Sequence, residues 1–226
     1  MSKESVKSTK SKRGLPQWFN FISSFIGLVI LSPLFLIVSL LIKLTSRGPV
    51  IFRQKRMGKD FREFNLYKFR TMKINDETLK ITPKGDPRIT KIGKFLRKTK
   101  IDELPQLINV LKGDMAIVGP RPEVREYVEL NIDDWRKILQ VRPGITDPVT
   151  LRLRNEEELL GKVTDPDKFY REDLAKYKIR GYLEYINKRN ILYDLKLICL
   201  TLAGVFVASL TPPPDVEAIL RENEDE

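Results

Sequence analysis

Histidine is absent from this 226-residue chain, and its absence removes whole classes of chemistry. No Ser-His-Asp or Cys-His nucleophile pair, no imidazole general base and no histidine-ligated zinc can be built. Cysteine is nearly absent too. Cys199 stands alone in LKLICLTLAG, so no intrachain disulfide forms, a reducing compartment is compatible, and a buried structural thiol is expected. Catalysis is left to carboxylates, cations, hydroxyls or a metal held by oxygen.

Acid is in deficit. Asp and Glu total 30 against 41 Lys and Arg, a net charge of +11. Such an excess calls for an anionic partner: nucleic acid, a phospholipid surface or a phosphorylated substrate. The length suits one domain with appendages, enough to bury a core.

Charge disappears altogether from Leu15 to Ile42, LPQWFNFISSFIGLVILSPLFLIVSLLI. An apolar helix needs about 20 residues to cross a bilayer, and this stretch exceeds that. No small-x-small cleavage site marks it as a signal peptide. Pro33 has no N–H for the carbonyl of Val29, so a kink is expected, and the Ser32 hydroxyl is placed to take that carbonyl. Cations flank both ends: Lys3, Lys7, Lys10, Lys12 and Arg13 before, Lys43, Arg47, Arg53, Lys55 and Arg56 after. The positive-inside rule then gives no orientation to a simple span and suits both ends in the cytoplasm. A plain crossing and a re-entrant helix bent at Ser32-Pro33 both stay open.

Beyond it, SRGPVIFRQKRMG and REFNLYKFRTM read as two short strands around a turn with Gly58. Their cations alternate with aromatics, which suits either nucleic acid or a hairpin beside lipid headgroups. Residues 73 to 88 read as a polar loop, TKIGKFLRKTK as a basic helix, and LKGDMAIVGPRP as a short strand between tight turns. VRPGIT reads as a turn-rich connector and RNEEELLGK as a short charged helix. Asp165-Pro166 starts another helix, whose Phe169, Tyr170, Leu174, Tyr177, Ile179, Tyr182 and Tyr185 suit a membrane interface. Leu197 to Leu210 is apolar but short for a crossing, and is expected to pack on the core or lie in the interface. TPPPDVEAILRENEDE reads as a proline stop with an acidic tail.

In KTKIDELPQL, Asp102 and Glu103 stand side by side among lysines. Leu104, Leu107, Ile108 and Leu111 then follow helical spacing, with Pro105 in the first turn and Gly113 at the end. Acids at a helix N-terminus are routine, so a capping role is the plain reading. The sharper reading is an active site. Arg97, Lys98 and Lys100 would keep Asp102 ionised, and an ionised carboxylate is an oxygen nucleophile toward phosphorus when cations or a metal offset the repulsion.

These residues carry a resemblance. The membrane Ser32-Pro33, SRGPVIFRQKRMG, YKFRTM, FLRKTKIDELPQLINVLKGDMAIVGPRP and RPGIT together resemble the bacterial sugar transferase family, the monotopic phosphoglycosyl transferases, over about Trp18 to Ile198. The resemblance implies an α+β fold. A re-entrant helix at 17–43, broken at Ser32-Pro33, would follow a basic segment at 1–16. A small, mostly helical catalytic domain with a short hairpin and interfacial helices would occupy 44–210, at the cytoplasmic face of a bacterial inner membrane, and an acidic tail 211–226.

The resemblance further implies that Asp102 attacks the β-phosphate of a UDP-sugar, releasing UMP, and that polyprenyl phosphate then takes the phosphosugar to start a lipid-linked glycan. Glu103, with Asp102, would hold Mg²⁺. Lys68, Arg70, Arg97, Arg121 and Arg142 are candidates to bind substrate phosphates, with Asp114, Pro120 and Pro122 supporting them. Expected partners are the UDP-sugar, polyprenyl phosphate and inner-membrane phospholipid, without nucleic acid; a homodimer is compatible, although no residue argues for it. Asp147 stands where many members carry glycine after RPGIT, which weakens analogies of sugar recognition there. With no extra membrane helices at the N-terminus, a minimal form of the enzyme is expected. Two rival readings are a membrane-anchored basic protein that binds nucleic acid or lipid, and a metal-dependent phosphate-ester hydrolase.

Overall fold

The computed structural model describes residues 13–73, 86–206 and 214–224. The apolar run forms one helix, α1 (Gln17–Thr45), long and apolar enough to cross a membrane. Helical structure continues through Pro33, so Ser32-Pro33 is a repaired position inside one helix and not a gap between two. The repair is the expected one: Ser32 Oγ donates to the Val29 carbonyl at 2.8 Å. Phe25, Val29, Ile30, Leu36, Ile37 and Leu40 are all exposed along it.

α1 is tied to the remaining chain at both ends. The Leu15 N–H, just before it, donates to Asp194 at 2.8 Å, and buried Asn20 accepts the Ile117 N–H at 2.9 Å. Near the other end, Val38 and Ile42 are buried with Phe69 and Leu96.

The hairpin is as expected. Strands β1 (Ile51–Met57) and β2 (Glu63–Phe69) pair antiparallel, with Ile51 opposite Phe69 and Met57 opposite Glu63. The expected polar loop lies largely outside the described residues. The basic helix is α2 (Lys91–Thr99), capped by Thr90, whose hydroxyl accepts the Gly93 N–H at 2.9 Å. A 3₁₀ turn over Ile101–Glu103 leads into α3 (Gln106–Lys112), which Gly113 ends in the left-handed region at φ 82°.

α3 buries Gln106, Asn109 and Val110, whereas Leu104, Leu107, Ile108 and Leu111 are only half-buried. Asn109 explains the rotation. It accepts the Tyr67 N–H at 3.0 Å and donates to the Asn65 carbonyl at 2.8 Å, sewing α3 to β2, while Leu107 turns toward Gly27 of α1.

Strand β3 (Ala116–Val118) is followed by α4 (Arg125–Leu130) and α5 (Ile132–Ile138). RPGIT is not merely a connector: Gly144–Thr146 is strand β4, parallel to β3. The close approach needs glycine, because a Cβ at Gly144 would sit 2.1 Å from the Gly119 nitrogen. Asp147 then caps α6 (Pro148–Arg152), accepting the Val149 and Thr150 N–H groups at 2.7 and 3.0 Å.

α7 (Glu156–Leu160) is the short charged helix, and Asp165 caps α8 (Pro166–Phe169) as expected. A π-helical turn, Tyr170–Leu174, continues it into α9 (Ala175–Lys188). The aromatics of this stretch do not lie at an interface. Phe169, Tyr170, Tyr177 and Tyr182 are buried with Met57, Tyr127, Trp135 and Ile138 in the largest core cluster. Tyr and Lys on a helix suit a core as well as a headgroup layer, and here the aromatic bodies are covered.

α10 (Ile191–Phe206) buries Leu197 but exposes Leu192, Leu195 and Leu202. Its packed face agrees with the expected packing on the core as far as residue 206, and residues 207–210 lie outside the described residues. Cys199 corrects the expectation of a buried thiol, since it lies on the exposed side. The supposed acidic tail also contains more than a tail: α11 (Val216–Glu224) inserts Ile219 fully into the main core.

Candidate active site

Lys100 adopts φ 59° and turns the chain sharply from α2 into the 3₁₀ turn that bears Asp102 and Glu103. That turn faces Lys68 on β2 and Arg121 on the loop after β3. Lys68 Nζ donates to Glu103 Oε1 at 3.1 Å. Arg121 grips the same carboxylate with both arms, Nη1 reaching Oε2 at 3.0 Å and Nη2 reaching Oε1. Burial would raise the Glu103 pKa, but Arg121 and then Lys68 outweigh it and hold the carboxyl well below its ordinary range.

Asp102 is the opposite case. It is 7% exposed, and its Oδ1 is buried without a hydrogen-bond partner. Burial, together with the adjacent Glu103 charge, pushes its pKa up to about 6, against the pull of Lys68, Lys100 and Arg97. The two neighbouring carboxylates are thus driven apart. One is neutralised by cations; the other is desolvated yet mostly ionised at neutral pH.

The capping explanation for the pair fails on this geometry. α3 starts after Pro105 with no side-chain cap, and Glu103 is spent on Lys68 and Arg121. A buried carboxylate oxygen without a partner is a costly arrangement that calls for a functional reason.

The other candidate residues are scattered among different tasks. Arg97 Nε donates to Glu157 at 2.7 Å, so its charge reaches Asp102 only through space. Arg70 is buried and holds the end of α1, donating to the carbonyls of Arg47 and, at 2.9 Å, Ser46. Arg142 donates to the Gly113 carbonyl at 2.9 Å and lines a cavity of about 180 Å³ with Lys59 and Arg189, whose wall contains none of Asp102, Glu103, Lys68 or Arg121.

Asp114 accepts from Asn109 Nδ2 at 3.2 Å and steadies the turn before β3. Pro120 accepts the Gly144 N–H at 2.9 Å, and Pro122 accepts from Arg56 at 3.4 Å, so both carbonyls pin the loop that carries Arg121. Sequence reasoning missed Arg56, Glu123, Tyr170 and Lys178 behind that loop. The one signal was Glu123, an acid directly after the GPRP turn.

The donor set fits magnesium in part. Glu103 is already engaged by two cations, and no group of three metal-ligating side chains converges among the described residues. An ion here would share Asp102 and Glu103 with oxygens of a bound phosphate substrate.

The site is thus a desolvated carboxylate among cations, without histidine, in a chain whose α1 is long and apolar enough to cross a membrane. The sequence profile of the bacterial sugar transferase family matches residues 11–208, and the chain belongs to that family. It is 39% identical over 187 residues to the UDP-glucose:undecaprenyl-phosphate glucose-1-phosphate transferase of Escherichia coli (strain K12), covering 80% of this chain and 38% of that protein. Identity is 46% over 142 residues to the UDP-N-acetylgalactosamine-undecaprenyl-phosphate N-acetylgalactosaminephosphotransferase of Aeromonas hydrophila, 60% of this chain and 32% of that one. The chain thus spans less than two fifths of the length of either relative. The exopolysaccharide production protein PSS of Rhizobium leguminosarum bv. phaseoli is 38% identical over 207 residues, 87% of this chain and 96% of that protein.

Proposed function

We propose that this chain transfers a sugar-1-phosphate from a UDP-sugar to polyprenyl phosphate through a covalent intermediate on Asp102. The single observation that carries the reading is Asp102 itself: desolvated, unpaired at Oδ1, and beside a Glu103 whose charge Arg121 and Lys68 absorb. The Asp102 carboxylate attacks the β-phosphorus; the bond from that phosphorus to the oxygen bridging the α-phosphate breaks, and UMP leaves. An oxygen of polyprenyl phosphate then attacks the aspartyl phosphosugar and frees the carboxylate. Neither step needs an imidazole base, because nucleophile and acceptor are already anions. Magnesium, when bound with the donor, would offset the diphosphate charge. The family match and the names of the relatives support the same reading. The test is UMP release from a panel of UDP-sugars by the nanodisc-held chain with Mg²⁺ and polyprenyl phosphate; no UMP from any donor would count against it.

The pH dependence follows from Asp102. Attack needs the ionised carboxylate, so kcat/KM should rise with pH through an inflection near the Asp102 pKa of about 6 and not near 4. A pH profile of UMP release measures this directly.

We also read α1 as entering and leaving the bilayer by one face, the cytoplasmic one. Ile42 lies 22 residues beyond Asn20, about 33 Å of helix at 1.5 Å per residue, yet both are buried against the rest of the chain. A helix crossing to the far side would carry one of those ends away. In a Cys199→Ser background, cysteines placed at Arg13 and at Lys162 should react from the same side of sealed vesicles. Reaction from opposite sides would restore the plain span.

A further inference from the structure

Behind the loop that carries Arg121 lies a part-buried network of four charges and a phenol, in which Lys178 and Tyr170 are buried and none of whose hydrogen bonds reaches the Asp102–Glu103 pair. Glu123 is its centre. One oxygen accepts from Arg56 Nη1 and from the Val124 N–H at 2.9 Å, and the other accepts from the Tyr170 hydroxyl. Lys178 Nζ donates to the same hydroxyl at 3.0 Å and to Glu156 at 2.9 Å, and lies 4.4 Å from the centre of the Tyr170 ring. Arg56 also reaches the Pro122 carbonyl at 3.4 Å and Gln54 at 2.9 Å. The cavity beside this network is about 10 Å³, room for about one water, so it is not a ligand site.

Such a network is an expensive way to stabilise a core. Two acids and two cations must be largely desolvated, and apolar side chains of similar volume generally stabilise as well or better. What apolar side chains cannot do is fix a carboxylate in one place. The local backbone is bent to the same end: the π-helical turn begins at Tyr170, the residue whose hydroxyl reaches Glu123, and such turns recur at functional positions.

The loop itself shows what is being held. On its β side, the Gly119 N–H donates to the Thr146 carbonyl at 3.0 Å, and the Pro120 carbonyl accepts from Gly144. On its other side, the Glu123 carbonyl accepts the Met57 N–H at 2.8 Å, and the Glu123 side chain enters the network. Arg121 sits between these two anchors with its guanidinium on Glu103.

We propose that Glu123 is a positioning residue for transfer at Asp102: through Arg56, Tyr170 and Lys178 it fixes residues 120–123 so that Arg121 stays on Glu103. The proposal rests on the transferase reading above. Arg121 neutralises the carboxylate beside the nucleophile, so a loosened loop leaves two adjacent acids facing an anionic donor.

The test compares Glu123→Gln and Tyr170→Phe with the parent chain in nanodiscs. Glu123→Gln should lower kcat about 10- to 100-fold, the scale of a small misplacement away from the chemistry. KM for the donor should change far less, and Tyr170→Phe should show the same pattern more weakly. A second readout needs no turnover. With ¹⁵N-arginine labelling, the Arg121 guanidinium of the parent chain should give sharp, slowly exchanging signals, and these should broaden in Glu123→Gln. Unchanged kcat, or sharp Arg121 signals in a folded Glu123→Gln, would overturn the proposal. If Glu123→Gln does not fold, Tyr170→Phe carries both readouts. Absence of UMP release by the parent chain would instead count against the transferase reading, and the Arg121 signals would still decide the role of Glu123.

Discussion

Asp102→Asn should abolish sugar-phosphate transfer, by on the order of 10⁴-fold or more, and at the same time make the protein more stable at neutral pH. The loss follows because an amide cannot form the acyl phosphate. The gain follows from the proton balance. The Asp102 pKa is raised from 3.8 to about 6 in the fold, so the folded state binds this proton more tightly than the unfolded chain. Its contribution therefore favours folding below the unfolded value and becomes unfavourable as pH rises through about 6. At pH 7 the penalty is on the order of 2–3 kcal/mol, at about 1.4 kcal/mol per pKa unit. Asn removes it. Melting curves should show Asp102→Asn above the parent chain at pH 7, with the gap closing as pH falls toward 4. A cap residue would behave differently, with activity kept and stability little changed, because Asn caps a helix about as well as Asp.

Arg121→Ala should damage both properties. Removing one partner of a buried ion pair typically costs about 3–5 kcal/mol, but Lys68 remains on Glu103 and Arg121 is partly exposed, so about 1–3 kcal/mol is expected. The Glu103 pKa is depressed in the fold, so its contribution is present above the unfolded value and is lost as pH falls through the folded one. The stability gap between parent and Arg121→Ala should accordingly be widest at neutral pH and narrow in acid. Turnover should fall about 100-fold or more, the scale of losing one charge-stabilising donor. Arg121→Lys should recover only part of it, because an ammonium cannot reproduce the two-armed grip. Melting curves and UMP release from the same preparations measure both effects.

What could be read from the sequence is what local chemistry decides. The hairpin, α2, β3 and the Asp165 cap carry their own periodicity, turn residues and caps, and all appear where expected. β4 does not, because Pro143-Gly144 reads as a turn and only the pairing with the distant β3 makes Gly144–Thr146 a strand. The tyrosines of α9 read as interfacial because only Met57, Tyr127 and Trp135, distant in sequence, show that they are covered. The missing histidine and the flanking cations leave Asp102 and Glu103 open between a helix cap and an active site, and the family resemblance is what singles them out. Arg70, Arg97 and Arg142 join them through the resemblance, and their charge does not reveal that Ser46, Glu157 and Gly113 hold them. Nor could it reveal the network around Glu123, whose members span Arg56 to Lys178.

The most direct measurement of the central claim is the intact mass of the full chain after incubation with its UDP-sugar donor and Mg²⁺ in the absence of polyprenyl phosphate. A covalent Asp102 intermediate predicts a mass increase of one phosphosugar, mapped by fragmentation to Asp102, formed with stoichiometric UMP and discharged when polyprenyl phosphate is added. Turnover with polyprenyl phosphate but no UMP and no added mass in its absence would mean direct transfer between the two substrates, and would contradict the account.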